Sequence, residues 1–123
     1  MTYLQQPEPI DLRWLKDKEI CSLCAIGDPQ SFEKMLANLG AHVQKNFRFM
    51  DHHWYTRKEI SSIIDFCQAQ QVKYLVTTFK DVVKLGDYTD LFRDVKLLVL
   101  HINIAIIQGE NEVFHKIDQL LLG

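Results

Sequence analysis

Two clusters of polar residues in this chain carry side chains able to work on one substrate: Phe49-Met50-Asp51-His52-His53-Trp54-Tyr55-Thr56 and, about two dozen positions later, Thr77-Thr78-Phe79-Lys80-Asp81. The first offers imidazoles that exchange a proton near neutral pH and a carboxylate to share it. The second adds hydroxyls, an ammonium group and another carboxylate. The combination suits a phosphorylated or hydroxyl-bearing substrate. Each cluster lies where an apolar, strand-like run stops and a helix begins. In open α/β sheets such strand ends share one rim, where ligands bind. The two clusters are therefore expected to face a single cleft.

The flanking sequence supplies the elements to hold them there. Met1 to Lys16 is polar, with Pro7 and Pro9 removing ladder donors, and residues 1–17 read as an extended linker or tail before a domain spanning 18–123. Glu19 to Ile26 reads as a buried strand. Asp28 then caps a helix with Pro29 at its first position; Phe32, Met35, Leu36 and Leu39 repeat at helical spacing, and Gly40 stops it. Ala41 to Phe49 gives a second strand. Thr56-Arg57-Lys58-Glu59 has capping-box spacing ahead of the stripe Ile60, Ile63, Ile64 and Cys67. Val72 to Thr77 is a third strand with near-continuous apolar character, as expected when helices cover both faces of a sheet. A short helix from Lys80 to Leu85 ends at Gly86-Asp87. Val95 to Ile107 is β-rich, and Val113, Phe114, Ile117, Leu120 and Leu121 mark a closing helix. Alternating strands and helices with short connections imply a three-layer α/β/α sandwich on a mostly parallel, Rossmann-like sheet of four to five strands. The direction of the last strand is left open.

With 123 residues there is room for one core. The net charge of −2 lacks the basic footprint of a bulk nucleic-acid binder. No run approaches the roughly 18 apolar residues of a membrane span, and the N-terminus has no signal-peptide pattern, so a soluble, cytoplasmic fragment is expected. Cys21 and Cys24 are an odd number of positions apart in a strand, which sends the thiols to opposite faces as packing residues.

Asp51-His52-His53 admits three readings. The residues are solvated turn positions; or they start a metal site like the Asp-His-His signature of manganese-dependent phosphoesterases, with Asp28 as the one early partner; or an imidazole and a carboxylate share a proton. Lys80-Asp81 likewise reads either as surface charge complementing a helix dipole or as part of a cleft.

Taken together, the segments Ala25-Ile26-Gly27-Asp28-Pro29-Gln30-Ser31-Phe32, Leu39-Gly40-Ala41, Phe49 to Thr56 and Leu75 to Leu85 resemble the C-terminal domain of the tetraacyldisaccharide 4′-kinase family, the lipid A 4′-kinases of Gram-negative envelope synthesis. The resemblance covers about Leu12 to Ile107. It implies an enzyme that transfers the γ-phosphate of ATP, with Mg²⁺, to the 4′-hydroxyl of a lipid A disaccharide 1-phosphate at the cytoplasmic face of the inner membrane. ATP and Mg²⁺ would be bound mainly by an N-terminal P-loop domain, which is the implied partner, since no G-x-x-x-x-G-K-[ST] occurs in the sequence. This chain would then be the opposite wall of a two-domain cleft, inactive alone. By resemblance, His52 assists a catalytic aspartate of the other domain in taking the hydroxyl proton and Asp51 orients it, while Tyr55, Thr78, Lys80 and Asp81 line the substrate side. Neither cofactor-binding nor metal-binding residues are implied here. Phe79, Met50 and Asp28 depart from the family's usual glutamate, proline and asparagine. The alternatives are a metal-dependent phosphoesterase-like domain built on Asp51-His52-His53 and a stand-alone regulatory or binding module.

Overall fold

A computed structural model describes residues 2–3 and 11–100. The elements are β1 (Thr2–Tyr3), a 3₁₀ turn (Leu12–Leu15), β2 (Glu19–Cys24), α1 (Pro29–Asn38), β3 (His42–Arg48), α2 (Arg57–Ala69), β4 (Tyr74–Thr78), α3 (Phe79–Val82), a 3₁₀ segment (Val83–Leu91) and β5 (Lys96–Leu100). They form one five-stranded sheet in the order β1-β5-β4-β2-β3. Strands β2 to β5 run parallel, and β1 pairs antiparallel with β5. The α/β class expected from the alternating pattern is what the chain adopts, and the last described strand is parallel to β4.

Period-two alternation sorts the side chains of β2 onto two cores. Cys21 and Leu23 join Leu75, Leu97 and the α2 stripe of Ile60, Ile63, Ile64 and Cys67 on one face. Ile20 and Cys24 join Phe32 and Leu36 of α1, with Leu15, Val76, Leu98 and Leu100, on the other. The two cysteines do part to opposite faces, and all three thiols are free and buried. Each fully buried Leu or Ile contributes roughly 1.5–3 kcal/mol relative to exposure. Strands β2, β4 and β5, whose side chains enter both cores, are thus the energetic centre of the domain.

The helix starts follow their capping residues. Asp28 accepts the Ser31 N–H at 3.2 Å, with Pro29 in the first turn, and Ser31 holds the Asp28 carboxyl below its usual range. Thr56 and Glu59 form the expected reciprocal box. Three features differ from the sequence expectation. Thr2–Tyr3 and Leu12–Leu15, within the segment read as linker, form a sheet strand and a 3₁₀ turn whose Leu15 is buried. The short helix after β4 begins at Phe79 and gives way after one turn to 3₁₀ geometry, because Gly86 and scattered polar residues supply no continuous apolar stripe. The β-rich run is strand from Lys96 to Leu100; its remainder, with the closing helix, lies outside the described residues.

The chain leaves β2 toward α1 on one face and leaves β4 toward the 3₁₀ segment, whose Leu85 is buried, on the other. Adjacent parallel strands whose connections part in this way open a crevice beyond their carboxyl ends. Here the ends of β2 and β4 bring Ala25 and Thr78 side by side, both buried, and the loop after β3 reaches over to Ala25.

Candidate functional site

The loop from Phe49 to Tyr55 is laid across the end of β2 by two backbone bonds. The Phe49 N–H donates to the Cys24 carbonyl at 2.9 Å, and the His52 N–H donates to the Ala25 carbonyl at 3.2 Å. His52 sits at φ 67°, in the left-handed region. Such a conformation costs an L-residue roughly 1–2 kcal/mol, so the surroundings must hold it. Its ring is out in solvent, with 86% of the side chain exposed, and Nε2 lies 3.6 Å from Asp51 Oδ2. Asp51 in turn rests against Gly27, where a Cβ would come to 3.3 Å from its Oδ2. Asp51 and His52, the two residues expected to share a proton, are thus adjacent at the rim with both side chains open to solvent.

His53 is arranged oppositely. Its Nε2 lies 2.9 and 3.1 Å from the two Glu59 oxygens, and its ring stacks on Phe49 at 4.9 Å and meets Tyr55 edge-on at 5.6 Å. Glu59 also accepts the Thr56 N–H at 2.8 Å. The histidine bond, and after it the backbone bond, hold the Glu59 carboxyl below its usual range. His53 therefore fastens the loop to the start of α2. The Glu59 pairing lies six residues along the chain and had no short-range signal in the sequence.

The second cluster divides between surface and interior. Lys80 is exposed at the start of α3, whereas Tyr55, Thr78 and Asp81 are buried. Asp81 has no exposed surface at all. It accepts the Ala25 N–H at 3.1 Å (Oδ1) and 3.2 Å (Oδ2), the Tyr55 hydroxyl at 2.9 Å, and the Thr78 hydroxyl. Its own N–H donates back to Thr78 Oγ1 at 3.1 Å, the helix cap. Burial, then the Asp81 carboxylate beside it, pushes the Tyr55 phenol far up, so it remains a donor at every physiological pH. The hydroxyl of Tyr55 and both oxygens of Asp81 are consumed inside the fold.

Two residues complete this group that the sequence reading did not single out. Lys84 places Nζ 4.0 Å from Asp81 with 11% of its side chain exposed, and lies 5.8 Å over the Trp54 ring. Its position three residues after Asp81 on a helix was an available clue. Tyr88 donates its hydroxyl to the Tyr55 carbonyl at 2.6 Å. Trp54 and Met50 are themselves strongly exposed on the loop. Cys24 is buried in the core, where burial, then Asp81 and Glu33, push its thiol up to about 11. Among the described residues no three His, Cys, Asp or Glu side chains converge to hold a metal ion, so a metal-centred reading of Asp51 and His52 finds no further ligands there.

Comparison with known proteins identifies a family. Residues 3–122 match the family described as Tetraacyldisaccharide-1-P 4′-kinase. A tetraacyldisaccharide 4′-kinase of Bdellovibrio bacteriovorus is 39% identical over 84 residues, covering 68% of this chain and 24% of the relative. One from Halothermothrix orenii is 32% identical over 106 residues, covering 84% of this chain and 27% of the relative. One from Rhodopseudomonas palustris is 30% identical over 100 residues, covering 81% of this chain and 29% of the relative. The chain thus spans about a quarter of the length of these relatives. No solved structure gives a significant match. A family match over nearly the whole sequence, on a parallel α/β sheet, means that the chain belongs to the tetraacyldisaccharide-1-phosphate 4′-kinase family.

Proposed function

We propose that this chain forms one wall, the C-terminal domain, of a lipid A 4′-kinase that transfers the γ-phosphate of ATP to the 4′-hydroxyl of a tetraacyldisaccharide 1-phosphate, and that it is inactive without the remaining wall. The observation that carries the reading is His52: an imidazole in a left-handed backbone position, solvent-facing at a strand end, with a carboxylate beside it. In this role Nε2 shares the proton that leaves the sugar hydroxyl as the phosphoryl group is transferred, and Asp51 stabilises the resulting imidazolium. Lys80 is the exposed cation of the second cluster, and in this reading it meets anionic groups of the substrate. Tyr55, Thr78 and Asp81 support this wall from behind.

The sequence holds no G-x-x-x-x-G-K-[ST] phosphate loop, and this reading assigns neither ATP nor Mg²⁺ to its residues. Both belong, in this reading, to the P-loop domain of the same polypeptide, which brings the protein to the cytoplasmic face of the inner membrane. No described helix is long and apolar enough to cross a membrane. The test is His52→Ala in the full-length protein, with a 4′-kinase assay on the lipid substrate. Turnover is expected to fall roughly 10²-fold with folding intact. A turnover number near that of the unmodified protein would remove His52 from the chemistry.

A further inference from the structure

The loop that carries His52 contains no glycine, yet holds a left-handed residue in the open. Something beneath it must supply the constraint. Asp81 makes contact with that loop by two separate routes. Along the first, its carboxylate grips the Ala25 N–H while the Ala25 carbonyl receives the His52 N–H, so one residue at the end of β2 is fixed on both sides. Along the second, it receives the hydroxyl of Tyr55, three residues past His52, whose carbonyl is also pinned by Tyr88. Asp81 is itself immobilised by the Thr78 hydroxyl and by its place in the first turn of α3. Oδ1 and Oδ2 are both occupied by these donors, and no part of the residue reaches solvent.

We propose that Asp81 is a positioning residue: a buried anchor where the ends of β2 and β4 meet that sets the backbone of His52 through Ala25 and Tyr55 and does not touch substrate. Its consequence for turnover rests on the reading of His52 as the proton-sharing residue; its consequence for the loop does not. Asparagine at this position keeps the shape but turns a donor toward donors, so at least one tether must be lost.

The experiment compares the full-length protein with Asp81→Asn and with Tyr55→Phe, which cuts only the second tether. Hydrogen exchange read by mass spectrometry on the Phe49–Tyr55 peptide is expected to speed up by about tenfold or more in Asp81→Asn and by less in Tyr55→Phe, with the β4 peptide unchanged. Kinase turnover is expected to fall by about tenfold or more in Asp81→Asn, with KM for the lipid held, because a misplaced group loses rate rather than ground-state binding. Loop exchange unchanged in Asp81→Asn overturns the proposal, as does a raised KM with turnover kept, which would make Asp81 a substrate contact. Faster loop exchange with unaltered kinetics supports the anchor and removes His52 from the reaction instead. Should Asp81→Asn fail to fold, the proposal stands or falls on Tyr55→Phe: loop exchange must still rise there.

Discussion

The loop after β3 and the turn after β4 carry the same kinds of groups, a carboxylate beside a cationic or titratable side chain with aromatic rings close by, and use them in opposite ways. In the first, Asp51 and His52 keep their polar atoms for the outside. In the second, Asp81 spends all of its hydrogen-bonding capacity on Ala25, Tyr55 and Thr78. The adjacent histidines repeat the contrast within one loop, His52 projecting and His53 clamped against Glu59 and Phe49. A charged group in an α/β rim is thus not by that fact a contact for substrate. Some of the charge is there to hold the rest in place, and burial decides which is which.

The largest effect expected from this division is on folding. Asp81→Ala leaves the Ala25 N–H and the Tyr55 hydroxyl buried without an acceptor, and urea denaturation at neutral pH should show stability reduced by about 3–5 kcal/mol. A loss below about 1 kcal/mol would erase the distinction between the two regions. A smaller effect is expected from His53→Ala, which removes the Glu59 contact and the stack on Phe49. Stability should fall by about 1 kcal/mol, while turnover of the full-length protein in the proposed reaction falls far less than in His52→Ala. If His53 proved the more damaging of the two, the roles of the neighbours would be exchanged.

The smallest effect is a pH dependence. The Glu59 carboxyl is held below its unfolded value by His53 first and the Thr56 N–H second. Its contribution is therefore complete above the unfolded carboxyl pKa of about 4.3 and is lost as pH falls through the lower folded value. Glu59→Gln should flatten this part of the stability profile between about pH 5 and the folded pKa, as chemical denaturation at stepped pH would read. An unchanged slope would mean that the Glu59 pairing does not persist in solution.

Much of the frame was legible because its signals are local. Asp28-Pro29, Thr56-x-x-Glu59 and the odd spacing of Cys21 and Cys24 each encode a cap or a face within a few residues, and each appears as read. The common rim followed from strand ends alone. What was not legible depends on distance along the chain. Thr78-x-x-Asp81 announces a helix cap, but nothing near it discloses that Asp81 meets an amide 56 positions earlier and a phenol 26 positions earlier. The left-handed geometry of His52 lacked the glycine or asparagine that usually marks such a site. Thr2–Tyr3 joins the sheet through partners at Val99 and Leu98, a pairing that short polar sequence cannot signal.

The bond between Ala25 and Asp81 also sets an order of events as the chain is made. Ribosomes add roughly 5–20 residues per second, so the amide of Ala25 is synthesised on the order of 3–10 seconds before its acceptor exists. During that interval β2 and β3 can pair, but the seat for the His52 loop has no floor. Those tethers can accordingly form only once β4 and the start of α3 have been made. A chain halted before residue 81 would hold the His52 loop without the acceptor that meets the Ala25 amide and the Tyr55 hydroxyl.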